Sequence, residues 1–278
     1  PNGDEPILGM AVYADGVIVC SGTGIFFSVD GEDTWLQVNR ASVSSSGDNY
    51  STFTGRSLAA RTSQGRCTFA LYEGTSDYGE LVICDGVNEP FLFQMTGTGG
   101  LTSRTFFAKE ITVSGTTGPA VGVIHDKHLV VAGASTAKNT IFYSGTNDID
   151  DFTSTGSGSI VIEDAVVGLA SFRSDLIIFC KNSIHKLVNI NDSSNVAVVP
   201  ITTNVGCISG GSIQEIGGDL LFLSPDGVRT VAGTARIGDV ELGSVSRQIQ
   251  SLVSDIASDS AFIITSGVLR SKSQYRLF

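Results

Sequence analysis

Polar turns and short apolar runs alternate along this chain, and five of the runs are nearly the same. Asp15-Gly16-Val17-Ile18-Val19-Cys20, Gly79-Glu80-Leu81-Val82-Ile83-Cys84, Lys127-His128-Leu129-Val130-Val131-Ala132, Ser174-Asp175-Leu176-Ile177-Ile178-Phe179 and Gly218-Asp219-Leu220-Leu221-Phe222-Leu223 each lead from a polar turn into apolar, mostly β-branched or aromatic residues. Their first apolar positions, 17, 81, 129, 176 and 220, lie 64, 48, 47 and 44 residues apart. Short apolar runs bounded by turn residues read as buried strands. A period of roughly 40 to 50 residues built only from strands predicts the blades of a β-propeller. Units are expected at about 7–38, 67–95, 120–151, 166–190, 208–232 and 261–278, the last incomplete. They read as one all-β domain, 1–278, of about six blades, because a blade buries both faces of its sheet only when neighbours stack on it.

The departures from the period are informative in their own right. Residues 41–66 form a Ser/Gly/Arg-rich insertion that accounts for the first long step. Val245, Ile249, Leu252 and Ile256 recur at helical spacing, which predicts one amphipathic helix near 244–257 with its stripe turned to the core. The chain opens on Pro1 and stops at Tyr275-Arg276-Leu277-Phe278 within a strand-like run, so it reads as a piece of a longer polypeptide.

Composition changes the picture in three ways. Charged residues make up 16% of the chain, against roughly a quarter in ordinary soluble domains, and mean hydropathy is +0.21. A sheet protein with so few charges reads as one with many protein–protein contacts. No apolar run approaches the ~18 residues of a membrane span. The 28 acidic residues outnumber the 17 basic ones for a net charge of −11. That argues against a DNA-coating protein, whose affinity comes from Lys and Arg, but not against a wall past which DNA slides. The five cysteines are odd in number, far apart and without CxxC spacing, and read as buried, reduced thiols.

Few residues point to chemistry. Ser28-Val29-Asp30-Gly31-Glu32-Asp33-Thr34-Trp35 resembles the Asp-box hairpin of sialidase-like propellers. Ser28, Asp30, Gly31, Thr34 and Trp35 match, and Glu32 stands where a second Gly is expected. The resemblance implies a structural turn capped by the Asp, with Trp packed beneath. A sialidase-type centre would need an Arg cluster, a Tyr–Glu pair and an acid. Arg104, Arg173, Arg229, Tyr143 and Glu163 could be drawn on, but no Phe-Arg-Ile-Pro-like segment accompanies them. His125 and His128 flank Asp126 without a third ligand nearby and read as a solvated turn rather than a metal site. Arg56, Arg61 and Arg66, every fifth residue of the insertion, are candidates for a subunit interface or DNA contact, weighed equally against a solvated loop. No catalytic residue, cofactor or metal is expected, and the chain does not read as an enzyme.

Asn139-Thr140-Ile141-Phe142-Tyr143-Ser144 with Asp148-Ile149-Asp150-Asp151-Phe152, then Val167-Gly168-Leu169-Ala170-Ser171-Phe172-Arg173-Ser174-Asp175-Leu176-Ile177-Ile178-Phe179, form a characteristic succession. Ser224-Pro225-Asp226-Gly227-Val228-Arg229-Thr230 and Ile237 to Arg247 follow. Together they resemble the tail nozzle proteins of short-tailed bacteriophages, a group that includes tail tubular and packaged-DNA stabilisation proteins. The resemblance covers most of 120–278. It implies a virion protein, assembled in the host cytoplasm into a homo-hexameric ring at the tail. Such a ring would dock a head-to-tail adaptor above and fibre or needle proteins below. It would retain packaged double-stranded DNA and serve as its exit channel. Asp150, Asp151 and Asp226 are then expected to face the lumen. Two alternatives stand beside this reading: a propeller glycosidase or carbohydrate-binding tail protein, and a cellular propeller scaffold. The scaffold would normally carry Gly-His…Trp-Asp repeats, and this chain has one Trp.

Overall fold

A computed structural model describes residues 4–31, 33–39, 53–54, 61–74, 77–232, 246, 251, 253, 255 and 263–278. Among them the chain is all-β, with six sheets that succeed one another along the sequence in the manner of propeller blades. The first sheet is the meander β1 (Ile7–Tyr13), β2 (Gly16–Ser21), β3 (Gly24–Val29) and β4 (Leu36–Gln37). The second contains β5 (Phe53–Thr54), β6 (Thr68–Tyr72), β7 (Glu80–Cys84), β8 (Phe91–Thr96) and β9 (Thr105–Glu110) in the order β5-β9-β8-β7-β6. The third runs β10 (Val121–His125), β11 (His128–Ala132), β12 (Thr140–Tyr143) and β13 (Gly158–Val161). The fourth runs β14 (Val166–Phe172), β15 (Asp175–Cys180), β16 (Ile184–Val188) and β17 (Ala197–Thr202). β18 (Gln214–Ile216), β19 (Asp219–Ser224) and β20 (Gly227–Thr230) make the fifth, and β21 (Ser266–Leu269) with β22 (Gln274–Leu277) the sixth.

The five repeated apolar runs are β2, β7, β11, β15 and β19, each the second strand of its antiparallel run. Every residue of β11 is buried, and so are all but the first of β7, β15 and β19. Successive strand residues face opposite ways, so these strands are covered on both faces, which is why their sequence is continuously apolar instead of alternating. β10 and β11 are joined by Asp126 and Lys127, both at positive φ (48° and 67°), the geometry of a two-residue type I′ hairpin.

Contacts divide the chain into two compact units, 1–137 with 142–159, and 138–141 with 160–278. In the first, one core lies between the first two sheets around Tyr13, Phe27, Phe93 and Phe106, and another joins the second sheet to the third through Val82, Leu92, Leu129 and Phe142. In the second, Phe179 and Phe222 meet at 5.3 Å between the fourth and fifth sheets. Leu221, Leu223, Tyr275 and Leu277 join the fifth sheet to the sixth.

Three strands correct the expected unit boundaries. β9, β13 and β17 extend the second, third and fourth units to residues 110, 161 and 202. They are the fourth strands of their runs and are partly solvated, as in β13, whose residues alternate between half-exposed and exposed and whose composition lacks a continuous apolar run. The insertion contributes β5, which pairs in parallel with β9 through Phe53 and Phe106. Of the expected helix, Ser251, Val253 and Asp255 are helical, and Val253 joins the core of the fifth and sixth sheets. Apart from these three and Ser246, positions 244–257 lie outside the described residues.

Candidate functional site

The chain returns from the insertion through residues 61–67 and is fastened there to the second sheet. Asp85 follows β7 and opens the turn Asp85-Gly86-Val87-Asn88 toward β8. An Asp at such a position caps the turn by accepting from backbone amides ahead of it. Its Oδ1 accepts from the N–H of Val87 at 2.9 Å and of Asn88 at 2.7 Å. Its Oδ2 accepts from Asn88 Nδ2 at 2.7 Å and from Arg61 Nη1 at 2.8 Å. Asn88 Nδ2 also donates to the Ser63 carbonyl at 2.8 Å. The guanidinium of Arg61 lies 5.6 Å from the Phe91 ring centroid and donates to the Glu89 carbonyl. Both side chains of the pair are within 2% of full burial. The carboxyl of Glu89 is pushed up by burial.

Arg61 therefore departs from its expected role. It turns inward because a capped, buried carboxylate supplies the counter-charge, whereas Arg66 is exposed and Arg56 lies outside the described residues. Cys20, Cys67 and Cys84 are buried, Cys84 next to Asp85 in the chain.

The three acids assigned to a lumen are each held locally. Asp150 pairs with Lys109. Asp151 accepts from the hydroxyl of Thr153 at 2.6 Å and from the backbone of Thr153 and Ser154, bonds that lower its pKa. Asp226 takes a two-pronged grip from Arg229, by Nε at 2.9 Å and by Nη2, and accepts from Ser224. Burial of Asp226 opposes ionisation, but these bonds prevail and lower its pKa. Two of the three thus carry their own counter-ion.

The other candidates are likewise engaged in turns. Ser28 is buried on β3, the Asp30 N–H donates to the Asp15 carbonyl, and Gly31 takes φ +81° as a turn requires. Thr34 is exposed. Trp35, expected beneath the hairpin, is 38% exposed. Leu36 pairs with Phe27 and takes the inward position, so its neighbour faces out. His125 and His128 correct the reading as a solvated turn, since both imidazoles are buried. His128 Nδ1–H donates to the Ser144 carbonyl at 2.6 Å, which leaves Nε2 to accept from Thr146 Oγ1 at 3.1 Å. Arg173 donates to the Gly218 carbonyl and lies over Phe172. Tyr143 is buried, which raises its pKa, and Glu163 is exposed. No cluster of three metal-ligating side chains is present among the described residues.

Arg104 fills a buried position between the first two sheets. It donates to both oxygens of Asp15, at 2.8 and 2.6 Å, and from Nε to the Gly99 carbonyl at 2.7 Å. The Arg104 hydrogen bond holds the Asp15 carboxyl below its ordinary 3.8. A lowered folded-state value means the contribution to stability is full above 3.8 and fades as pH falls through the lower folded value. Asp15→Asn should therefore flatten the acid limb of a stability–pH profile below about pH 4. A limb as steep as in the parent, measured by urea midpoints across pH 2 to ~6, would show that the pair does not drive it.

No protein-family model matches the chain, and no curated protein matches it. Solved structures with a similar arrangement include BBS1N in complex with ARL6DN, at 13% identity over 81% of this chain and 66% of that one, with a TM-score of 0.49. The extracellular domain of BT4673 from B. thetaiotaomicron follows at 13% identity, all of this chain, 37% of that one and a TM-score of 0.47. PorZ of Porphyromonas gingivalis, a surface component of the type-IX secretion system, has 12% identity over 80% and 32%, with a TM-score of 0.46. This chain spans less than two thirds of each of them. None of these likenesses bears on what it does.

Proposed function

We propose that the chain is a structural part of a bacteriophage tail nozzle, a ring that retains packaged DNA and passes it outward. The observation that supports this most is where the nozzle-like segments fall. Asn139–Ser144 is β12 with its flanks, and the following segment folds into a turn closed by Gly145 N–H on the Asp151 carbonyl at 2.9 Å. Residues 167–179 make the β14–β15 hairpin, paired from Gly168–Phe179 to Phe172–Asp175. The resemblance thus sits on elements that build sheets and turns, as a mechanical role requires. The low charge content, together with Lys109–Asp150 and Arg229–Asp226 pairs that cancel locally, suits a wall that duplex slides past without adhering. The remaining negative balance of the chain, rather than Asp150, Asp151 and Asp226 individually, repels the phosphates. The assembly state of the full-length polypeptide tests this: the reading requires six subunits in a closed ring.

A further inference from the structure

Gly9 of β1 lies directly across the ladder from Cys20 of β2. Having no side chain, it leaves a space that Cys67 fills: a Cβ on Gly9 would stand 2.8 Å from the Cβ of Cys67. The Cys67 N–H donates to the Leu8 carbonyl at 2.9 Å and fixes it there. Cys20 and Cys67, 47 residues apart in sequence, thus flank the same gap at Gly9, and both are buried in the core between the first two sheets. They are not equivalent. Cys67 Sγ accepts from Gln64 Nε2 at 3.2 Å and retains 6% exposure, whereas Cys20 has none. Cys67 Sγ also donates to the Gly65 carbonyl at 3.7 Å, and as the only one of the two with any exposure it is the one peroxide reaches first.

We infer that Cys20 and Cys67 form a peroxide-responsive dithiol in which Cys67 is oxidised first and Cys20 closes a disulfide onto it. The Cys67 thiolate attacks one oxygen of hydrogen peroxide, the O–O bond breaks, and a sulfenic acid forms while hydroxide leaves with the Cys67 proton as water. The sulfur of Cys20 then attacks Cys67 Sγ, the S–O bond breaks, and the departing hydroxyl takes the Cys20 proton as a second water. Two thiols are oxidised and one peroxide is reduced to two waters. The neighbouring Cys67 and burial raise the pKa of Cys20, so it stays protonated until this step.

The other three cysteines face different partners. Cys84 Sγ lies against Gly122, 2.9 Å from where a Cβ would be. The Cys180 N–H donates to the Ser183 carbonyl at 2.9 Å, and the Cys207 thiol donates to the Ser209 carbonyl at 3.2 Å. The disulfide would tie β2 to the returning end of the insertion and close a covalent ring around it.

The folded parent chain, treated with hydrogen peroxide, denatured, alkylated and sequenced by mass spectrometry, tests this. It should lose two of its five thiols and show a Cys20–Cys67 cross-link about 2 Da lighter than the dithiol. Cys67→Ser should keep all its thiols at the same dose, and Cys84→Ala should still form the link. Five surviving thiols, a link between Cys67 and Cys84, or sulfinic acid at Cys67 with Cys20 still alkylated would each overturn the proposal. The parent readout stands whether or not either variant folds.

Discussion

Replacing Asp85 with alanine should destabilise the chain by about 3–5 kcal/mol, the cost of leaving one member of a buried ion pair alone. Four donors converge on this carboxylate: two turn amides, Asn88 Nδ2 and Arg61 Nη1. Removing it uncaps the turn and strands a guanidinium whose Nε already lacks a protein partner. Arg61→Ala should cost less, about 1–3 kcal/mol, because Asp85 keeps three of its four hydrogen bonds. Urea denaturation of both variants checks the order, and limited proteolysis reads the local consequence. Cleavage within 41–66 should accelerate in Asp85→Ala, since the turn that fastens the base of the insertion is gone. Equal losses in the two variants, or a loss under about 1 kcal/mol for Asp85→Ala, would show that the anchor is not where the energy lies.

The second large effect is steric. Gly206 precedes Cys207, whose N–H donates to the Cys180 carbonyl at 2.8 Å, so two main chains run in contact there. A Cβ on Gly206 would stand 2.1 Å from the Lys181 carbonyl oxygen, 2.3 Å from its carbon and 2.4 Å from the Asn182 nitrogen. All three are backbone atoms, and no rotamer change relieves them. Gly206→Ala should therefore cost at or above the upper end of the ~1–3 kcal/mol typical of overpacking. Gly267→Ala, which meets nothing within 4 Å, should stay within about 0.5 kcal/mol of the parent. Thermal midpoints of the two variants compare them directly, and a Gly206→Ala protein as stable as Gly267→Ala would refute the close approach.

Particular elements show how much of this was legible beforehand. The doubly buried second strands, β2, β7, β11, β15 and β19, announce themselves because burial on both faces demands an unbroken apolar run. β13 does not, since a partly solvated strand such as Gly158-Ser159-Ile160-Val161 needs little apolar sequence. Asp85 was legible in principle, as an Asp-Gly pair between two apolar runs is a turn signal with a stated mechanism. Its partner was not. The pairing of Arg61 with a residue 24 positions away depends on how the insertion returns, which no local pattern encodes. The same holds for Asp15 with Arg104, 89 residues apart. The local partners of Asp150, Asp151 and Asp226 were hidden for a related reason. Sequence places acids on turns, where they face solvent or cap the turn themselves, and here capping and local cations claim them.

The assembly state of the protein, measured by native mass spectrometry with electron cryo-microscopy, tests the proposed nozzle role most directly. A closed six-fold ring with an axial channel wide enough for duplex DNA is the result expected of a tail nozzle. A stable monomer across the concentrations at which phage tails assemble would contradict it.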